Sequence, residues 1–283
     1  MKLLRYGPTG RERPGVLDKD DAVRDLSSIC DDIDLAADPG LIDRLHDIDL
    51  SRLPTVLELQ RLGPPLARTP KFIAIGLNYA DHAAESNLPI PTEPVVFMKA
   101  TSCIVGPNDD IVIPPGSVKT DWEVELGIVI GKRAAHVSEA DALNHVAGYL
   151  TVNDVSEREY QIERGGTWDK GKGCDSFGPI GPWLVTRDEI ADVHALDMWL
   201  DVNGKAMQRG NTRTMIFGCA EIVAYVSRFM TLLPGDIITT GTPPGVGMGM
   251  NPPTYLKPGD EVRLGIAGLG EQRQRVRAFE SGN

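Results

Sequence analysis

Cysteine, long apolar runs and clusters of positive charge are scarce in this sequence. Its 283 residues include four cysteines, Cys30, Cys103, Cys174 and Cys219, and no two of them form a CxxC pair, so neither a disulfide framework nor a zinc site is expected. No apolar run approaches the roughly 20 residues of a membrane-spanning helix, and the apolar stretch near Met1 is too short for a secretion signal. Lysine and arginine are dispersed in a chain of net charge −11, which argues against nucleic-acid binding. We therefore expect a cytoplasmic protein that binds neither membranes nor nucleic acids.

Glycine and proline divide the chain near residues 65–70. Gly63-Pro64-Pro65 and Arg68-Thr69-Pro70 interrupt the pattern of apolar residues, and a chain of 283 residues exceeds the usual size of one domain. We predict a small N-terminal α+β domain over residues 1–65 and a catalytic domain over residues 70–283.

Short strand patterns outnumber helical patterns in this sequence. The stretches 71–76, 95–99, 123–130 and 147–154 are rich in β-branched and apolar residues and are bounded by turn signals. Helices are predicted over 38–53 and 138–145, and an irregular glycine-rich segment over 158–173. The regular crossover helices of a doubly wound parallel sheet are missing from the pattern. The sequence therefore predicts a mainly β or α+β fold.

The pair Glu123 and Glu125 is the most informative local feature. Side chains two residues apart on a strand project from the same face, so both carboxylates lie together and repel each other unless a cation is present. Hard oxygen ligands favour Mg²⁺, Ca²⁺ or Mn²⁺. An isolated Glu-x-Glu is more often a solvent-facing strand edge, and that alternative stays open at this point.

Asp154 is the third candidate ligand. It follows the apolar stretch 147–153, so its carboxylate is expected at the end of a strand, although Asn153-Asp154 on its own is more typical of a turn. Together with the two glutamates it would place three carboxylates around one divalent cation.

Two further segments carry groups suited to proton transfer and charge stabilisation. His82 and Glu85 are three residues apart on a predicted helix, where they would be neighbours and could act as an oriented general base; an exposed His/Glu pair is the alternative. Lys172 lies among glycines and could neutralise an oxyanion, unless its segment is a flexible surface loop. Cys174 has no histidine nearby in sequence and is interpreted as a bystander.

The glycine-rich stretch 241–249 is not a dinucleotide fingerprint, because Pro252 and Pro253 would prevent the helix that such a fingerprint needs. It is interpreted instead as a rim that offers backbone N–H groups and the Thr242 hydroxyl.

Six motifs, in this order, make residues 70–280 resemble the fumarylacetoacetate hydrolase family. They are Gly-x-Asn-Tyr-x-x-His-x-x-Glu, Glu-x-Glu-Leu, Asn-Asp-x-x-x-Arg, Lys-x-x-x-Ser-Phe-x-Pro-x-Gly-Pro-Trp, Asn-Gly-x-x-x-Gln and Gly-Thr-Pro-x-Gly-Val-Gly. The resemblance implies a mixed β-sandwich roll that binds Mg²⁺ or Mn²⁺ and forms a homodimer.

The resemblance also implies roles for individual residues. Matched one by one, the positions are the metal ligands Glu123, Glu125 and Asp154, the dyad His82 and Glu85 of a lid helix, the active-site lysine Lys172, and the substrate contacts Gln161, Ser176 and Thr242. Gln208 matches a motif position to which no role is attached.

The implied activity is metal-dependent hydrolysis of a C–C bond in an acylpyruvate-type 2,4-diketo acid, giving pyruvate and a second acid. The segment Gly171-Lys172-Gly173-Cys174 departs from the Ala-Lys-Ser-Phe of many relatives and resembles the branch that acts on 2,4-diketo-3-deoxy sugar acids; similar sequences are also labelled ureidoglycolate lyase. Decarboxylation, isomerisation or hydration at the same site are alternatives, as is a metal-stabilised binding protein without turnover.

Overall fold

Short β-strands provide most of the regular structure. The computed structural model describes residues 1–59, 61–81 and 89–280, and the elements below are those of the described residues. The strands, in chain order, are β1 (Lys2–Tyr6), β2 (Arg13–Leu17), β3 (Val23–Asp25), β4 (Leu62–Gly63), β5 (Phe72–Gly76), β6 (Val95–Lys99), β7 (Ile104–Val105), β8 (Ile111–Ile113), β9 (Thr120–Asp121), β10 (Val124–Ile130), β11 (Val146–Asn153), β12 (Ser156–Glu157), β13 (Gly178–Pro179), β14 (Leu184–Thr186), β15 (Asp197–Val202), β16 (Lys205–Asn211), β17 (Ile237–Thr239), β18 (Glu261–Ile266) and β19 (Gly270–Ala278).

The helical elements in the same part of the chain are short. The α-helices are α1 (Leu41–His46), α2 (Glu139–Ala142), α3 (Asp169–Lys172) and α4 (Cys219–Val226), and one π-helical turn spans Glu159–Glu163. Single 3₁₀ turns span Leu50–Arg52, Thr101–Cys103, Leu143–His145, Arg187–Glu189, Thr212–Thr214 and Gly247–Gly249. None of these helices has the length and apolar character that crossing a bilayer would require.

Two sheets share one apolar core. The larger has ten strands in the order β3-β2-β1-β14-β11-β10-β17-β5-β6, with β4 paired to β1, and the smaller has the order β16-β15-β18-β19-β8. Strands β15, β18 and β19 of the smaller sheet contact β10 and β11 of the larger one, and buried residues of both belong to one hydrophobic cluster. This arrangement confirms the predicted mainly β, α+β class.

The N-terminal strands continue the larger sheet. Strand β1 pairs antiparallel with β14, with Leu3 opposite Leu184, and β14 in turn pairs with β11. One sheet therefore contains strands from both predicted segments. The predicted domain boundary between residues 65 and 70 stays a prediction.

Two predicted segments differ from the structure. The helix expected over 38–53 is divided, because only Leu41 and Leu45 bury an apolar face in α1 and Asp49 then accepts a hydrogen bond from the Ser51 N–H to begin a separate turn. The segment 158–173, expected to be irregular, contains the π-helical turn and α3. A Cβ at Gly171 would lie 2.6 Å from the Gln161 nitrogen, so glycine allows these two helical turns to pack closely.

Gly148 lies where β11 packs closely against β14 in the large sheet. A Cβ at this position would lie 2.1 Å from the carbonyl oxygen of Val185 in β14, and a backbone atom held in a sheet cannot easily move away. We expect Gly148→Ala to lower the free energy of unfolding by about 1–3 kcal/mol, measured by urea denaturation. Gly40→Ala is the control, because its nearest atom would be 3.6 Å away and its effect should stay below about 1 kcal/mol. Equal effects of the two changes would contradict this account.

Candidate metal centre and active site

Strands β10 and β11 bring the three candidate metal ligands together. β10 lies between β11 and β17 in the middle of the large sheet, and the Asp154 N–H donates to the Glu123 carbonyl at 2.9 Å. Glu123, Glu125 and Asp154 are all buried, and one carboxylate oxygen of each lies within 4.8 Å of those of the others. The alternative of a solvent-facing strand edge is therefore wrong.

Three cationic side chains surround two of these carboxylates. Lys172 Nζ lies 2.6 Å from Glu123 Oε2 and 2.7 Å from Asp154 Oδ2. Lys99 Nζ lies 2.6 Å from Asp154 Oδ1, and Arg158 Nη2 lies 2.7 Å from Glu123 Oε1. Lys172 is thus buried against the carboxylates, and the alternative of a flexible surface loop is wrong.

Glu125, the third carboxylate, is held by hydrogen bonds and not by ion pairs in the described part of the chain. Its Oε2 accepts hydrogen bonds from the Thr239 hydroxyl and, at 2.9 Å, from the Gly241 N–H, but no lysine or arginine within the described ranges forms an ion pair with it. Burial, followed by repulsion from Asp154 and Glu123, raises the pKa of the Glu125 carboxyl well above its ordinary value.

The charge repulsion at Glu125 can be compared in size with the stabilisation from its hydrogen bonds. Two like charges about 4 Å apart repel by ~4 kcal/mol at an effective dielectric constant of 20, whereas a hydrogen bond contributes about 1 kcal/mol net. The raised pKa of Glu125 shows that its two hydrogen bonds, together with the attraction of Lys172, do not offset burial and the repulsion from Asp154 and Glu123. A divalent cation held by three carboxylate oxygens would do so, and this all-oxygen ligand set fits Mg²⁺ or Mn²⁺.

Lys172 and Lys99 both contact the Asp154 carboxylate. Burial favours the neutral amine of Lys172, but attraction by Asp154 and Glu123 outweighs this and raises its pKa, so that it remains an ammonium. Lys99 also donates to the Lys172 carbonyl oxygen, which fixes the end of α3. In the sequence, Lys99 is marked only as a lysine at the end of an apolar strand, a pattern that predicts no role.

Arg158 and Asp121 form another buried ion pair that the sequence pattern does not predict. Arg158 Nε donates to Asp121 Oδ2 at 2.8 Å, while Asp121 Oδ1 accepts from the Gly247 N–H at 2.7 Å. The glycine-rich stretch 241–249 thus directs backbone N–H groups at the protein carboxylates of Asp121 and Glu125, in addition to forming a rim. Arg158 belongs to the Asn-Asp-x-x-x-Arg motif, and its spacing of four residues from Asp154 was the signal that could have identified it.

The carboxylates open onto a cavity of about 220 Å³. Its lining residues are Ile75, Gly76, Leu77, Phe97, Glu123, Glu125, Asp154, Arg158, Gln161, Ile162, Trp168, Lys172, Gly241, Thr242 and Met248. Two of the three expected substrate contacts are therefore present. Ser176 is not brought here: its Oγ accepts from the Val112 N–H at 2.8 Å, and it lines another cavity with Cys174 and Arg277.

The hydrogen bonds of Gln161 and Thr242 limit what each can offer a ligand. Gln161 Oε1 accepts from Arg158 at 3.0 Å, and because arginine can only donate, the amide Nε2 is left for the cavity. The Thr242 hydroxyl donates to the Val124 carbonyl at 2.9 Å and accepts from Gln208 Nε2 at 2.8 Å, so it can only accept from a ligand. Gln208 also accepts from the Val124 N–H at 3.0 Å, which gives this motif residue a role in fixing the start of β10.

His82 and Glu85 lie outside the described residues. The chain that leads to them is fixed by Asn78, whose side chain is buried and exchanges hydrogen bonds with both backbone groups of Phe217, at 2.8 and 3.1 Å. The roles expected for the dyad stay predictions.

Comparisons with known proteins give relatives that match this chain over nearly its whole length. A protein of Burkholderia multivorans that carries a provisional hydrolase name is 64% identical over 281 residues, covering 98% of this chain and 99% of its own. A Mycobacterium abscessus structure named as a probable 2-hydroxyhepta-2,4-diene-1,7-dioate isomerase is 34% identical with a TM-score of 0.84, covering 99% and 100% of the two chains. Maleylpyruvate hydrolase from Sphingobium, solved with manganese(II) and pyruvate, is 30% identical with a TM-score of 0.81 over the same shares.

Glu125→Gln tests the uncompensated carboxylate. An acid whose pKa is raised by folding stabilises the fold least above that pKa, so the metal-free wild-type protein should lose stability as pH rises from 4.5, the ordinary value, through the raised value. The amide carbonyl still accepts the hydrogen bonds of Gly241 and Thr239. We expect the metal-free variant to melt at or above the wild-type temperature, by a margin that grows with pH, and to lose the stabilisation by Mn²⁺. The control is Glu58→Gln, a change at an exposed glutamate. If the Glu125→Gln variant were still stabilised by Mn²⁺ in a thermal melt, Glu125 would not be a metal ligand.

The family assignment rests on the model of the fumarylacetoacetate (FAA) hydrolase C-terminal region, which matches residues 71–277. This range contains the carboxylate cluster, Lys172 and the cavity. The chain belongs to the fumarylacetoacetate hydrolase family.

Proposed function

We propose that this protein hydrolyses the C–C bond of an acylpyruvate-type 2,4-diketo acid in a reaction that depends on a divalent metal. The observation that carries the proposal is the buried cluster of Glu123, Glu125 and Asp154 with Lys172 at the floor of one cavity. The manganese and pyruvate named for the Sphingobium hydrolase structure support the same class of ligand.

Glu123, Glu125 and Asp154 would hold Mg²⁺ or Mn²⁺, which when bound supplies a Lewis acid for the carboxylate and 2-oxo groups of the substrate. Lys172 keeps its positive charge in a buried position and would stabilise the negative charge that develops on the departing pyruvyl group. The Nε2 of Gln161 would donate to a substrate oxygen.

The proposed hydrolysis needs a base that takes a proton from water and later returns it to carbon. Water adds to the distal carbonyl carbon, the adjacent C–C bond breaks, and its electron pair remains on the pyruvyl carbon, which then takes up a proton. We propose that His82, oriented by Glu85, removes the proton from water and returns it to that carbon. This role rests on the spacing of the two residues in the sequence.

Isomerisation of an unsaturated 2-oxo acid is the second candidate. The Mycobacterium abscessus structure, named as an isomerase, is as extensively similar as the hydrolase. Isomerisation needs the same stabilisation of negative charge but no attacking water, so only the products separate the two reactions.

Product analysis tests the reaction class. With Mg²⁺ or Mn²⁺ and a simple 2,4-diketo acid, we expect pyruvate and a second carboxylic acid in equal amounts, and loss of the reaction on chelation. Release of CO₂ from oxaloacetate alone would indicate a decarboxylase, and a shifted double bond without cleavage would indicate an isomerase. Either result would overturn the proposed hydrolysis.

His82→Ala tests the base. We expect kcat to fall by about 10²–10⁴, with metal binding retained because the ligands are unchanged. The control is His46→Ala, an exposed histidine in α1 that should leave kcat unaltered. Undiminished hydrolysis by the His82 variant would exclude the dyad from the mechanism.

A further inference from the structure

The cavity of the carboxylate cluster also has an apolar wall. We use this name for the six apolar side chains in its lining, Ile75, Leu77, Phe97, Ile162, Trp168 and Met248. None of these six side chains is among the residues proposed above to hold the metal, stabilise charge, move a proton or donate to the substrate.

Trp168 and Phe97 are the fixed centre of this wall. Their rings meet edge to face with centroids 5.1 Å apart, a favourable geometry for aromatic pairs. A Cβ at Gly76 would lie 2.4 Å from Trp168 Cζ3, so a glycine in β5 leaves room for the indole. Lys172 Nζ lies 5.4 Å from the centroid of the Phe97 ring. The wall therefore begins directly beside the ammonium that would face the pyruvyl group.

Two members of the wall have features that suit contact with a ligand. Ile162 follows Gln161 in the π-helical turn and is 51% exposed, so part of its apolar side chain is accessible. Leu77 has a φ of 54°, a conformation that is unusual for residues other than glycine and that is found preferentially at functional sites. Contact with an apolar part of a ligand would account for both residues.

The wall offers no partner for a second negative charge. The basic side chains in the cavity lining are Arg158 and Lys172, and both already form ion pairs with Glu123. The residues outside the described part, which are 60, 82–88 and 281–283, include no lysine or arginine in the sequence. Their one histidine, His82, is the general base proposed above and must be uncharged to accept a proton. A carboxylate placed against the wall would lose its hydration without gaining an ion pair, which is unfavourable.

We infer that this site takes 2-oxo acids whose distal group is uncharged, an alkyl or hydroxyalkyl chain, and that it discriminates against a second carboxylate. The inference rests on the proposed function only for the orientation of the ligand, with its 2-oxo acid end at the carboxylate cluster. The apolar wall then receives whatever follows the distal carbonyl.

Three substrates that differ only in the last carbon test this discrimination. They are 2,4-dioxoheptanoate, its 7-hydroxy derivative and 2,4-dioxoheptanedioate, which end in a methyl, a hydroxymethyl and a carboxylate group. With Mn²⁺ present, we expect kcat/KM for the better of the two uncharged substrates to exceed that for the dioate by at least about 100-fold. The ratio of the first two separates an alkyl from a hydroxyalkyl ligand. Equal or faster cleavage of the dioate would overturn the inference and leave the hydrolysis proposal intact.

A binding measurement keeps the inference testable if none of these compounds is cleaved. 2-Oxoheptanoate and 2-oxoheptanedioate lack the second carbonyl, so they cannot be hydrolysed in this way. Calorimetric titration into the Mn²⁺-loaded protein should show tighter binding of the monoacid. Tighter binding without any cleavage of the diketo acids would refute the proposed hydrolysis and support the ligand class, whereas equal or tighter binding of the diacid would refute the ligand class.

Ile162→Lys adds the missing cation at the exposed edge of the wall. We expect it to raise kcat/KM for the dioate relative to the monoacid by about fivefold, the effect of one ion pair that is partly exposed to solvent. Leu57→Lys is the matched control, because Leu57 is 91% exposed and does not line the cavity. An unchanged selectivity ratio in the Ile162 variant would show that the distal group does not reach this wall.

Discussion

The repulsion between carboxylates buried side by side is the constraint around which this structure is built. Ionised groups out of water are tolerated only when opposite charges compensate them, and the elements around the site supply those charges. Strand β6 ends in Lys99, α3 ends in Lys172, and the chain after β12 supplies Arg158. Glu125 is the exception, with hydrogen bonds but no cation from the described chain. If this cluster holds a metal as proposed, the stability of the fold and the binding of the metal are linked at this one side chain.

A network of buried amides holds the strands that carry these charges. Asn153 accepts from the Glu123 N–H at 3.2 Å and donates to Gln274 Oε1 at 3.1 Å, which connects the ligand strands to β19 in the smaller sheet. Gln208, in β16, performs the corresponding task for the Val124 N–H. Because side chains of the second sheet satisfy the backbone where β10 begins, the ligands can converge there without leaving buried N–H groups unpaired. The smaller sheet thus supports the carboxylate cluster without providing one of its three carboxylates.

The cavity combines two environments that suit different parts of one small molecule. Its charged floor concentrates carboxylates and the Lys172 ammonium, where negative charge on a substrate can be stabilised in a site of low dielectric constant. Its apolar wall, centred on Trp168 and Phe97, has no such groups. A 2-oxo acid with an uncharged tail would match both environments, and the side chain of Gln161 lies where it could donate to an oxygen of the substrate. The proposed reaction and the proposed ligand class therefore rest on different parts of one cavity.

The local sequence pattern was sufficient to predict part of this structure. Strand alternation placed Glu123 and Glu125 on one face, the apolar run of β11 placed Asp154 at its end, and glycine and proline marked the turns, because strand geometry depends on near neighbours in the chain. Lys99, Asp121 and Gln208 could not be identified in this way, since their partners lie 55, 37 and 84 residues away and pattern carries no information on such contacts. Ser176 matches the motif, yet its hydroxyl accepts a hydrogen bond from the Val112 N–H and lies outside the cavity lining. The sequence by itself determined which chemical groups are available and their order, and the tertiary structure decided which of them share one buried space, because only packing brings distant charges within a few ångströms.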